Sequence, residues 1–162
     1  MENRMADSPP DRLTALPSWL LTQTARHAQR LVGDGFAAVD ARGYHYRLLL
    51  TLDETGPTSQ ADLGRRSGIH LSDVVAAVND LADRQLVERS PDPTDRRRNV
   101  ITLTPAGRRQ LRRLDRAVAR IQDDLLAPLT PTERDQLTRL LTRLLHHHNA
   151  GEARKRVPET PR

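Results

Sequence analysis

Asp95 precedes three consecutive arginines, Arg96, Arg97 and Arg98, which stand between a loop with two prolines and the alternating run "NVITLT" that begins at Asn99. A guanidinium is a planar fork of donors that suits phosphate oxygens and guanine edges, and the negative potential of a narrow minor groove attracts it. Asp95 is placed to accept from one of the three and hold it in a single rotamer. A second set of residues has the chemistry to read base edges: Ser72 through its hydroxyl, Asp73 by accepting from a cytosine amine, and Val75 and Ala76 by contact with thymine methyls. Ser59 and Gln60, a little upstream, complete the candidate DNA contacts.

The charge is concentrated. Residues 84–116 hold ten arginines against four acids, an excess larger than the net +5 of the whole 162-residue chain. Only Lys155 among the 26 basic residues is a lysine. Such a balance favours a polyanion as partner. Cysteine is absent, which excludes disulfides, thiolate metal sites and thiol-based redox sensing. No run approaches the roughly 18 to 20 apolar residues of a membrane span, and "MENRMADSPPDR" lacks the apolar core of a signal peptide. The expected compartment is therefore the cytoplasm, in association with the nucleoid, with no membrane partner. There is no Gly-rich phosphate loop and no nucleophile motif, so neither an enzyme nor a cofactor is expected.

Several elements are needed to position these residues. A helix from about residue 16 places Trp19, Leu20, Ala28, Leu31 and Val32 near one face, with Pro17 and Ser18 at its start. A second, from about Val39 to Glu54, stops at Gly56-Pro57. Ser59 followed three residues later by Asp62 is a capping pattern for a short third helix that ends at Gly68. Ser72 is the expected N-cap of a fourth, with Val74, Val78, Leu81 and Ala82 inward. Two short helices across a tight Gly-containing turn make a helix-turn-helix, and "LVERS" with "NVITLT" reads as a β-hairpin after it. Thr104 and Pro105 open a helix with Leu111, Leu114, Val118, Ile121 and Leu125 at three- and four-residue spacing, broken by Pro128. Thr130, Pro131 and Glu133 give another capping box before a leucine-rich helix. The expected fold is mainly α with a small β-hairpin wing. Residues 1–15 and 149–162 read as disordered tails.

The run "DPTDRRRNVITLTPAG" and the upstream "SQADLGRRSGIHLSDVVAAVNDLADRQLVER" resemble the wing signature and helix-turn-helix of the MarR family of bacterial transcriptional regulators. The resemblance covers about residues 16–148. It implies a ligand-responsive repressor that binds a pseudo-palindromic operator as a homodimer. The winged helix would span about 48–104, and helices at about 16–33 and 105–148 would interleave into a dimerisation bundle. By the same resemblance Arg97 is the minor-groove arginine and Asp95 its positioner. Where similar proteins often carry an arginine or polar residue in the recognition helix, this chain has Leu71, Val75, Ala76 and Asp80. From Ile69 to Asp83 it holds no arginine or lysine and three aspartates.

Arg108, Arg109, Arg112, Arg113 and Arg116 read as the wet face of an amphipathic helix. His146, His147 and His148 are adjacent on a helix and point about 100° apart, so they cannot all face one ion. Solvated histidines at a helix end are the expected reading, and no metal site is assigned. Trp19, Tyr44, His45, Tyr46 and Arg47 stand out in a chain with 2% aromatics, and Trp19, Tyr46 and Arg47 are the candidate ligand residues among them. They read either as filling of a seam or, as the resemblance implies, as a crevice for a small aromatic or anionic effector. Two other functions fit the composition: a sequence-indifferent architectural DNA binder, favoured by the acidic recognition helix, and a histidine-based metal sensor.

Overall fold

A computed structural model describes residues 10–92 and 99–155. It divides the chain into two compact units, Met1–Leu125 and Leu126–Arg162. The wing tip, with Asp95, Arg96, Arg97 and Arg98, lies outside the described residues.

The first unit opens with a single helical turn, α1 (Asp11–Thr14), within the segment read as a tail. Helix α2 (Pro17–Ala37) follows, with Pro17 in its first turn, where a missing N–H leaves no intrahelical bond unmade. It runs four residues past the expected end, because Phe36 is buried and anchors the last turn. Gly35 belongs there for packing: a Cβ would meet the Ile121 side chain at 2.5 Å, so α2 and the later α6 approach closely at this point. Helix α3 (Gly43–Thr55) begins four residues later than periodicity predicts. The cause is Asp40, in the left-handed region at φ 53°, which turns the chain while Ala41 N–H closes onto Phe36 O at 2.9 Å.

Strand β1 (Thr58–Ser59) is a short addition that sequence patterning cannot show, since two residues carry no period. Helix α4 (Gln60–Ser67) starts where expected: Asp62 N–H donates to Ser59 Oγ at 3.2 Å and Ser59 Oγ–H donates to Asp62 Oδ2 at 2.6 Å. Gly68 ends it at φ 64°, the left-handed conformation that favours glycine. Helix α5 (Leu71–Asp83) starts two residues earlier than the Ser72 cap expected. His70 is the extended N-cap residue, because Gly68 and the buried Ile69 fix where the chain enters the helix. Ser72 is the second helical residue, its hydroxyl 3.1 Å from His70 Nδ1.

Strands β2 (Val87–Pro91) and β3 (Asn99–Leu103) form the hairpin, and the sheet order is β1-β3-β2, antiparallel throughout. Helix α6 (Pro105–Leu125) is capped by Thr104, whose Oγ1 accepts from Gly107 N–H at 2.9 Å. Leu111, Leu114 and Ile121 face inward as the spacing predicts, and Arg109, Arg112, Arg113 and Arg116 are exposed. Leu48, Leu49, Leu63, Val74, Val78, Leu81, Ile101 and Leu114 are fully enclosed at the centre of this unit. Each such leucine contributes on the order of 2 kcal/mol by leaving water.

The second unit is helix α7 (Pro131–Lys155) and the turn before it. Its capping box is present: Thr130 N–H donates to Glu133 Oε2 at 2.8 Å, and Glu133 N–H donates to Thr130 Oγ1 at 3.4 Å. The bonds that Thr130 donates to the carboxylate, from its N–H and from its hydroxyl at 2.7 Å, hold the Glu133 carboxyl below its usual pKa. The helix continues to Lys155, past the 148 limit set by periodicity. Leu140, Leu141, Leu144 and Leu145 are 40 to 60% exposed. Among the described residues no helix is long and apolar enough to cross a membrane.

Candidate nucleic-acid interface

Helix α5 is held from behind by its buried face, Val74, Ala77, Val78 and Leu81. The opposite stripe, Leu71, Ser72, Val75, Ala76 and Asn79, is exposed, at three- and four-residue spacing that puts it along one line of the helix. Leu71 and Val75, one turn apart on this stripe, are large apolar residues left 54% and 40% exposed. Asp73 is half-buried in the first turn. The structure therefore brings Ser72, Val75 and Ala76 together on one accessible helix face. Ser59 is committed to capping α4, and Gln60 is half-buried beside it.

Two features of this surface escaped sequence reasoning. Arg89, on β2, donates from Nη2 to Asn79 Oδ1 on the exposed stripe of α5. The signal was legible in principle. Val87 pairs with the inward Leu103 and Arg89 with the inward Ile101, so strand alternation puts Arg89 on the same face as buried residues. The other feature is an open crevice of about 650 Å³ where the end of α2 and the α2–α3 turn meet α3 and the end of α5. Gly33, Arg42, His45, Asp80 and Arg84 are among its walls. Arg84 reaches Asp40 at 3.1 Å and Asp80 at 3.9 Å.

His45 is 4% exposed, and its hydrogen bonds assign its tautomer. Arg42 N–H donates to Nδ1 at 3.3 Å, so the proton is on Nε2, which donates to Asp80 Oδ2 at 2.9 Å. Burial, the largest influence, pushes its pKa below 6.5; Asp80 and Asp40 act in the opposite sense, and Arg84 and Arg42 reinforce burial. The unfolded imidazole, at about 6.5, takes up a proton that the folded one refuses. The unfolded state then binds more protons, so stability falls as pH drops below about 6.5 and levels off below the folded pKa. Urea midpoints at pH 7.5 and 5.5 test this: the wild type is expected to lose stability at the lower pH, and His45→Gln to lose less. Equal losses in the two proteins would rule it out.

The aromatic candidates are dispersed. Tyr46 packs on Phe36 with ring centroids 5.7 Å apart. Burial first, then the charge and hydrogen bond of Asp115, raise its phenol pKa. Trp19 lies 17 residues before Phe36 on α2, about 26 Å along the axis at 1.5 Å per residue, so one chain does not bring Trp19 to Tyr46. Arg47 donates to Ser67 O, and to Gly68 O at 3.2 Å, bracing the turn between α4 and α5. His146, His147 and His148 are exposed, and no group of three metal-ligating side chains is found among the described residues.

A profile of the MarR family matches residues 39–98. A regulatory protein of Thauera aromatica named for the hcr operon is 34% identical over 111 residues, spanning 68% of this chain and 67% of that protein. Among solved structures, the transcriptional repressor CouR bound to a 23-mer DNA duplex is 27% identical with a TM-score of 0.77, over 86% of this chain and 99% of CouR. The regulator PcaV of Streptomyces coelicolor, solved with its natural ligand, is 28% identical with a TM-score of 0.69, over 86% of this chain and 97% of PcaV. With its helix-turn-helix, its antiparallel hairpin and these likenesses, the chain belongs to the MarR family of DNA-binding transcriptional regulators and is not an enzyme.

Proposed function

We propose that the chain is a cytoplasmic repressor that binds a pseudo-palindromic operator as a homodimer and releases it on binding a small aromatic or anionic effector. The observation that carries this reading is the exposed stripe of α5, which offers Ser72, Val75 and Ala76 to the major groove beside the hairpin. In this reading residues of about 48–104 form the winged helix, and helices within about 16–33 and 105–148 assemble the dimer. Asp95 and Arg96 to Arg98 would then serve the adjacent minor groove. The recognition helix has no cation of its own, so phosphate contacts and the wing supply more of the affinity than direct base reading.

The likeness to CouR supports repression through DNA, and the likeness to PcaV supports a ligand. Arg42 in the crevice is the cation for an anionic effector, since Arg84 is paired with Asp40 and Asp80 and Arg47 is taken up by Ser67 O and Gly68 O. An effector there shifts DNA affinity by the difference in its affinity for the two conformations.

Footprinting on DNA flanking the protein's own gene, at physiological salt with excess nonspecific competitor, tests the reading. The expected result is a symmetric protected site with half-sites about one helical turn apart. Uniform coverage that competitor removes would instead support an architectural DNA binder.

A further inference from the structure

Arg89 is an anomaly on its strand. It pairs with Ile101, and its neighbours in the alternation, Val87 and Leu103, are buried, yet its guanidinium is exposed beside α5. It is held there by Asn79 Oδ1, which lies one turn past Ala76 on the exposed stripe. Asn79 is neutral, so it fixes the guanidinium without cancelling its charge. The nearby Asp80 carboxylate is turned to His45 and Arg84 on the crevice side.

This position is the seam between the recognition helix and the stem of the wing. When α5 lies in a major groove and the hairpin reaches the adjacent minor groove, the sugar–phosphate strand that separates the two grooves must cross this seam. We infer that Arg89, positioned by Asn79, binds a phosphate of that dividing strand, and so supplies the cation that α5 lacks. The inference rests on the placement of α5 and hairpin given under the proposed function. A planar guanidinium suits phosphate oxygens, and its anchoring lowers the entropy lost when it binds. Because every sequence carries the same phosphates, the contact adds affinity and register without base preference.

The test is fluorescence anisotropy on the footprinted site and on a scrambled duplex, across a salt series. Failure of the wild type to prefer the footprinted site would count against the proposed function and not against Arg89. Given that preference, Arg89→Ala is expected to weaken binding to both duplexes by similar factors, about 10-fold per half-site. Its slope of log affinity against log salt should be shallower by about 0.9 for each half-site. Arg89→Lys keeps the charge and should restore the slope with part of the affinity. Asn79→Ala should keep the slope and lose a smaller factor, because the guanidinium remains but is no longer fixed. Unchanged affinity and slope in Arg89→Ala overturn the inference. So does a loss confined to the footprinted site, which would make Arg89 a base reader. Melting curves keep the reading secure: a variant that unfolds at the assay temperature is replaced by Arg89→Gln, which keeps the aliphatic stem and a polar end and removes the charge.

Discussion

Leu141→Asp with Leu144→Asp is expected to convert the protein from a dimer to a monomer and to weaken operator binding about 10²- to 10⁴-fold. These residues are 40% and 47% exposed, and Leu140 and Leu145 beside them 46% and 60%, so α7 shows an apolar stripe that water meets in the free chain. Covering it with the same stripe of a second copy removes four leucines from water in each chain, on the order of 2 kcal/mol for each one fully buried. A carboxylate in that seam would have to be desolvated without a partner, which costs several kcal/mol. The same carboxylates on an exposed helix face cost little folding stability, so the effect is on assembly. DNA binding follows because the second winged helix then loses its high effective concentration at the second half-site. Sedimentation at micromolar concentration and anisotropy on the full operator measure both effects. A variant that remains dimeric would assign the interface to another surface. A monomer that binds the full operator as tightly as wild type would remove the two-half-site reading.

Gly107→Ala should be the most destabilising glycine-to-alanine change in this chain. Two effects oppose one another. Alanine favours helix over glycine by about 1 kcal/mol, and Gly107 lies in the first turn of α6. Against that, a Cβ here would lie 2.0 Å from Leu86 O and 2.6 Å from Leu103 Cδ1. The Leu103 side chain can yield, but the Leu86 carbonyl is backbone and already accepts from Thr104 N–H at 3.2 Å. The Thr104 hydroxyl lies 2.8 Å from Gln85 O as well as capping the helix, so the start of α6 is clasped to the start of β2. Relief of the overlap must move helix and strand apart. Overpacking of this kind costs about 3 kcal/mol, which outweighs the propensity gain. Net of that gain the loss is about 2 kcal/mol, which for a chain of this length lowers Tm by roughly 4 to 8 °C, at about 2 to 4 °C per kcal/mol. A melting temperature equal to or above wild type would mean that propensity wins and that the clasp is loose.

Much of the architecture was legible because it depends on neighbours in the chain. The Ser59–Asp62 and Thr130–Glu133 caps, the left-handed Gly68 and the stripe Leu111, Leu114 and Ile121 are all local. So was the hairpin, whose alternation put Ile101 and Leu103 inward. The failures at helix starts have the same form. Ser72 is a good cap residue, but the buried Ile69 and the turn at Gly68 set the entry to α5 two residues sooner than its chemistry suggests. Val39 is compatible with helix, but the left-handed Asp40 ends one helix before the next begins.

The amino-acid sequence by itself determined the winged helix, its family and the stretch that carries the charge, because period, caps and turn residues act over a few positions. Only the tertiary structure decided what the charged side chains do. Arg89 meets Asn79 ten positions away, Arg84 meets Asp40, Arg108 meets Asp53 at 2.7 Å, and Arg47 turns to Ser67 and Gly68. An arginine side chain is long, and many placements satisfy it equally well in the unfolded chain. Which acceptor it finds is settled by the packing that brings distant segments within reach, and that packing leaves no periodic trace in the order of residues.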